Sequence, residues 1–238
     1  MGNSVSAAIS KAEDGQKKDA QDSLNALLAM AEMKYQTFLS SVKDKSDTTM
    51  VPVSKFLLMD HSVNASVKKD NEKVKKAVTG AVSAFASGAI LDGVSAVIGF
   101  GIDAVLGNVA ANQSEHTTYV ITCGELGGLM RIDINIFCYS YTSESLRKIA
   151  ENVVSVSYAI SSVDSRDLDP DTLRGVVQVC YGGVVKREQL NEIYQLLIKA
   201  HESSKTGRLE WVPEVKPAPE TPAVNNDPVV ATAGVTSA

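Results

Sequence analysis

The chain has 238 residues, 44% of them apolar but only 5% aromatic, with a net charge of −5 at pH 7. That length supports a substantial core built from small side chains, and the acidic balance gives no electrostatic reason to expect a nucleic-acid partner. Three cysteines, Cys123, Cys138 and Cys180, form no C-x-x-C pair, and His61, His116 and His201 are too scattered for zinc spacing, so no metal or cofactor is expected.

The first residues, Met1-Gly2-Asn3-Ser4-Val5-Ser6, match the M-G-x-x-x-[ST] pattern in which Gly2 is myristoylated once Met1 is removed. No cleavable signal peptide is read here, so a reducing, cytoplasmic setting at or near a membrane surface is expected. One myristoyl chain binds a membrane only marginally, with an association constant of about 10⁴ M⁻¹, and needs a second signal. From Asp19 or Asp22 to about Lys43, Leu24, Leu27, Leu28, Ala31, Tyr35, Phe38, Leu39 and Val42 recur with helical spacing and predict an amphipathic helix. After Pro52, the spacing of Phe56, Val63, Val67, Val74 and Val78 approaches a heptad seam and predicts a second helix that runs into the next segment. Lys68, Lys69, Lys73, Lys75 and Lys76 lie just before that segment, a cluster that suits either a solvated helix face or an anionic lipid surface.

Residues 77–114 carry only two charges, Asp92 and Asp103, in 38 positions. In a helix these two are about 20° out of phase, on one stripe with Ser95 and Gly99. The other faces carry Val94, Val97, Ile98, Ile102, Val105 and Leu106, the residues expected to meet a membrane or a partner. Glycines at 80, 88, 93, 99, 101 and 107 allow one helix to press closely on another. The charge-free runs, 15 and 10 residues long, fall short of the ~18–20 that a bilayer span needs. The segment is therefore expected to form a packed apolar hairpin that meets lipid only conditionally.

Beyond it, TTYVITC (117–123) and LMRIDINIFCYSY (129–141) are rich in β-branched and aromatic residues and predict a β-hairpin over 117–141. In that hairpin Cys123 faces Leu129 and lies far from Cys138, so the thiols are expected to be free. Helical spacing returns at Ser143, with Leu146, Ile149, Ala150, Val153, Val156 and Ile160 on one face. Asp167-Leu168-Asp169-Pro170-Asp171 has the spacing of half a calcium loop, but Thr172 and Gln178 stand where a glycine and a glutamate should complete it. A helix start is expected instead, with Asp169 as N-cap and Pro170 at its first position; Leu173, Val176, Val177 and Cys180 face inward and Gly182-Gly183 stop it. A last helix runs from about Lys186 to Ser204, with Leu190, Ile193, Tyr194, Leu197, Ile198 and His201 inward.

The sequence thus predicts a mainly α fold, a helical bundle with a glycine-rich apolar helical hairpin (77–114) and one inserted β-hairpin (117–141). A single helical domain over 19–212 is expected between a flexible N-terminus (1–18) and a disordered tail (213–238) that holds five of the seven prolines. In the order of its elements this scheme resembles helical pore-forming proteins, an architectural likeness that implies a shielded apolar head. No nucleophile elbow, phosphate-cradling glycine loop or dinucleotide fingerprint is present in the sequence. The expected function is therefore non-enzymatic: a membrane-associating protein whose apolar segment is exposed on lipid. The alternative is a soluble, self-associating scaffold or interaction module using the same small-residue face, and a homo-oligomer fits both.

Overall fold

The computed structural model describes residues 14–44, 51–66, 71–86, 88–107, 112–124, 128–141, 152–166 and 168–206. The expected tail (213–238) and the first thirteen residues of the expected flexible N-terminus lie outside them. At the centre is a four-stranded antiparallel sheet of β1 (Val53–Ser66), β2 (Gln113–Cys123), β3 (Leu129–Ser140) and β4 (Asn152–Val163), in the order β1-β4-β3-β2. Helix α1 (Asp14–Asp44) covers one face, in two small apolar clusters. Helices α2 (Asn71–Val82), α3 (Gly88–Gly107), α4 (Pro170–Tyr181) and α5 (Arg187–Thr206) share the main core with the other face. With 30% strand beside 58% helix among the described residues, this is a helix–sheet–helix sandwich, and the expected mainly helical bundle with one inserted hairpin is incorrect.

The β2–β3 hairpin forms where the alternation places it, and Cys123 pairs with Leu129. Two further strands stand in place of expected helices. β4 replaces the helix predicted through Val153, Val156 and Ile160; residues 142–151, which include its expected cap Ser143, lie outside the described residues. Its real period is two: Val154, Val156, Tyr158 and Ile160 enter the main core, whereas Val153, Ser155, Ser157, Ala159 and Ser161 turn toward α1. Pairing with β1 on one side and β3 on the other satisfies its backbone, an arrangement that a β-branched run tolerates better than a helix.

β1 replaces most of the predicted second helix, leaving α2 as a short one. Its alternation is interrupted by a register shift between Phe56 and Leu58: Phe56 lies opposite Ser161 and Leu58 opposite Ile160, with Leu57 the extra residue. Phe56 and Met59 therefore share the α1 side of the sheet at a spacing of three, which imitates a helix. α2 does not continue into α3. A 3₁₀ turn at Ser83–Phe85 intervenes, and α3 opens at Gly88 with φ +55°.

α3 is the helix on which the main core is assembled. Its glycines at 93 and 101 are the close approaches: a Cβ at Gly93 would lie 2.6 Å from Cδ1 of Ile193 in α5, and one at Gly101 would lie 2.9 Å from His116 in β2 and from Ile136 in β3. α4 begins as expected, with Asp169 accepting hydrogen bonds from the Asp171 and Thr172 amides at 2.9 and 2.8 Å. These bonds, the Thr172 amide foremost, hold the Asp169 carboxyl below its ordinary range.

Candidate lipid-facing end

β1 and β3 finish, and β2 and β4 begin, at one end of the sheet: Ser66 and Ser140 both lie opposite Asn152, and Gln113 lies opposite Tyr139. The N-terminal half of α1 sits at this end, where Leu24 and Leu27 pack with Tyr141 and Val153. Its C-terminal half is at the other, where Phe38 and Val42 meet Ala159 and Phe56. The stretch that carries Gly2 therefore joins α1 from this end, although residues 1–13 themselves lie outside the described residues.

The described part of the lysine cluster, Lys73, Lys75 and Lys76 in α2, belongs to the same end. Ser66 closes β1, Asn71 opens α2, and residues 67–76 hold five lysines against Asp70 and Glu72, a net of +3. Lys68 and Lys69 fall outside the described residues, and Lys73 lies in the first turn of α2. Lys75 bridges to Asp103 at 3.0 Å and to Glu72 at 3.2 Å, tying α2 to the last turns of α3. The Asp103 contact, chiefly, raises the Lys75 pKa. Lys76 is exposed to solvent.

The six apolar residues expected to meet lipid or a partner, Val94, Val97, Ile98, Ile102, Val105 and Leu106, are all buried in the main core. Asp92 and Asp103 share the exposed side of the same helix, as their phase requires. Among the described residues α3 alone is long and apolar enough to cross a membrane, and half of it is buried inside the protein.

A polar layer on the α1 side of the sheet is not apparent from the sequence. Arg131, only 2% exposed, forms a double contact with Asp133 at 2.7 and 2.9 Å, donates to the Val51 carbonyl at 3.1 Å and lies 5.1 Å from the Tyr119 ring centre. Asn135 links Thr117 and Glu115 at 2.8 Å each, and Lys34 of α1 reaches Glu115 at 2.5 Å. Burial raises the Glu115 pKa, but the bonds from Lys34 and Asn135 outweigh it and leave the carboxyl below its ordinary value. On β4 the hydroxyls of Ser155, Ser157 and Ser161 are buried with no hydrogen-bond partner. The signal in the sequence is the polar half of the β3 alternation, Arg131-x-Asp133-x-Asn135, which has the pattern of a solvated face.

The described residues assemble no recognisable reaction centre. Cys123, Cys138 and Cys180 are buried and form no disulfide, and burial pushes the thiols of Cys123 and Cys180 up to about 12. Among the described residues no group of three or more His, Cys, Asp or Glu side chains could hold a metal ion. His61 stacks on Tyr35 with ring centres 4.2 Å apart and sits 3.3 Å from Glu32, His116 lies edge-on to Phe100, and His201 is buried with its Nε2 unpartnered. Comparison with protein-family models gives no match, and neither does comparison with curated proteins.

Proposed function

We propose that this protein is a non-enzymatic, membrane-peripheral protein that meets an anionic lipid surface with the end of its sheet where β1 passes into α2. The observation that carries this reading is the shared position of two weak signals. The stretch leading from Gly2 joins α1 at the end where β1 closes at Ser66 and the lysine-bearing α2 opens at Asn71. Gly2 is twelve residues from Asp14, a reach of at most about 40 Å when extended, so an acyl chain and the lysines can engage one surface together. An acyl chain combined with a basic patch gives stable anchoring where either alone is marginal.

Surface attachment is favoured over insertion of α3 by magnitude. Hydrocarbon would take up its six buried aliphatic side chains about as well as the core does, but carrying Asp92 and Asp103 ionised to the bilayer centre costs about 3 kcal/mol each, and Asp103 would also leave its bridge to Lys75. α3 is accordingly assigned to the core, and lipid contact to the surface around it.

The test is flotation of the full chain, made with and without an N-myristoyltransferase, on neutral and anionic vesicles. Co-flotation of the acylated chain with anionic vesicles, lost in Gly2→Ala and weakened by salt, is the expected result. Equal flotation on neutral and anionic vesicles, or none by the acylated chain, contradicts it.

A further inference from the structure

We propose that the outer edge of β1 is a self-association surface, where the strand pairs antiparallel with β1 of a second copy of this chain, Leu57 of each copy opposite Leu58 of the other. β1 ends the sheet, and among the described residues no strand pairs with its outer side. Leu57 and Leu58, 49% and 37% exposed, stand on that edge.

The choice of register comes from the bulge. Two strands related by a twofold axis normal to their sheet must place paired residues on the same face. In an unbroken strand Lys55 and Asp60, an odd number of residues apart, would lie on opposite faces. The shift at Leu57 changes this: Lys55 lies opposite Ser162 and Asp60 opposite Tyr158, two β4 residues of one face. Phe56 and Met59, opposite Ser161 and Ala159, likewise share the other face. With Leu57 against Leu58, each Lys55 meets the second copy's Asp60 and each Phe56 meets the second copy's Met59. Charge complementarity and apolar matching thus coincide in one register.

A lysine and a bulge on an edge ordinarily discourage pairing with stray strands. Here they do so selectively, because registers that set Lys55 against Lys55 or Asp60 against Asp60 oppose like charges. Lys55 is exposed and holds no ion pair among the described residues. Asp60 accepts from the Tyr158 hydroxyl at 3.2 Å and the His61 amide at 2.7 Å; an ionised carboxylate has about four acceptor positions, so an ammonium can still be received. The inference is independent of lipid binding, since it concerns a strand edge and not the lysine-bearing end.

The test is sedimentation velocity of the full chain, with circular dichroism to confirm folding of each variant. The unmodified chain should reach twice its 25.3 kDa. Lys55→Asp and Asp60→Lys, each placing like charges together, should weaken the dimer at least tenfold, and the double swap K55D/D60K should restore it. A wild-type chain that stays monomeric up to its solubility limit overturns the proposal. So do single variants that dimerise like the wild type, and a folded double swap that remains monomeric.

Discussion

Gly93 of α3 and Ile193 of α5 meet so closely that a side chain at position 93 forces its neighbours to shift: a Cβ there would stand 2.6 Å from the Ile193 methyl and 3.1 Å from the Tyr181 ring. Tyr181 cannot retreat easily, because its hydroxyl donates to the Ile121 carbonyl at 2.5 Å inside the core. Gly93→Ala is therefore expected to destabilise the protein by about 1–3 kcal/mol through overpacking. Gly80→Ala, in α2 with open space around its Cβ, is expected to add about 0.5–1 kcal/mol. Urea midpoints of the two variants should move in opposite directions.

The buried Arg131–Asp133 pair gives a second contrast. Asp133→Ala leaves a buried guanidinium without that carboxylate, a change that typically costs about 3–5 kcal/mol. Ser157 and Ser161 lie on the adjacent strand β4, opposite Asn135 and Arg131. Ser157→Ala and Ser161→Ala remove hydroxyls that have no hydrogen-bond partner. Each should be neutral or mildly stabilising in the same urea assay.

The thiols predict an alkaline limit. For Cys123 and Cys180 the ordinary value of 9.0 is raised to about 12 by burial. A folded-state pKa above the unfolded one gives a contribution that is complete below pH 9 and lost as pH rises toward 12, because the unfolded chain ionises first. Stability measured against pH should fall across that window. A thiol reagent at neutral pH should modify none of the three buried cysteines until urea unfolds the chain.

Replacing Lys68, Lys69 and Lys76 with serine removes three positive charges from the basic cluster of the proposed lipid contact. At about 1 kcal/mol for each lysine near an anionic surface, affinity of the acylated chain for anionic vesicles should fall about 100-fold. Binding to neutral vesicles should not change, and titrations on both lipids check this.

Much of the fold is legible in the periodicity wherever an element has one buried side. Leu24, Leu27, Ala31, Phe38 and Val42 of α1, and Leu173, Val176, Val177 and Cys180 of α4, are buried as their spacing requires. β1 is hidden, because the extra residue at Leu57 breaks a period of two into a spacing of three. β4 does alternate, Val154, Val156, Tyr158 and Ile160 against Ser155, Ser157 and Ser161, but Val153, Val156 and Ile160 also fit a helical spacing, and its serines are buried beneath α1 where a solvated side is expected. The proposed lipid-facing end is legible only in parts. Gly2 and the lysines can be named from the sequence, but the end at which α1 begins and β1 passes into α2 depends on a sheet of which β1 and β4 read as helices.

The most direct test is to find which end of the acylated protein approaches lipid. The native cysteines are buried, so an environment-sensitive fluorophore can be placed on Lys76→Cys, beside the proposed surface, or on Arg166→Cys, just past β4 at the opposite end. On anionic vesicles the probe at 76 should shift to the blue and the probe at 166 should not. A shift at 166 without one at 76, or equal shifts at both, would contradict the proposed orientation.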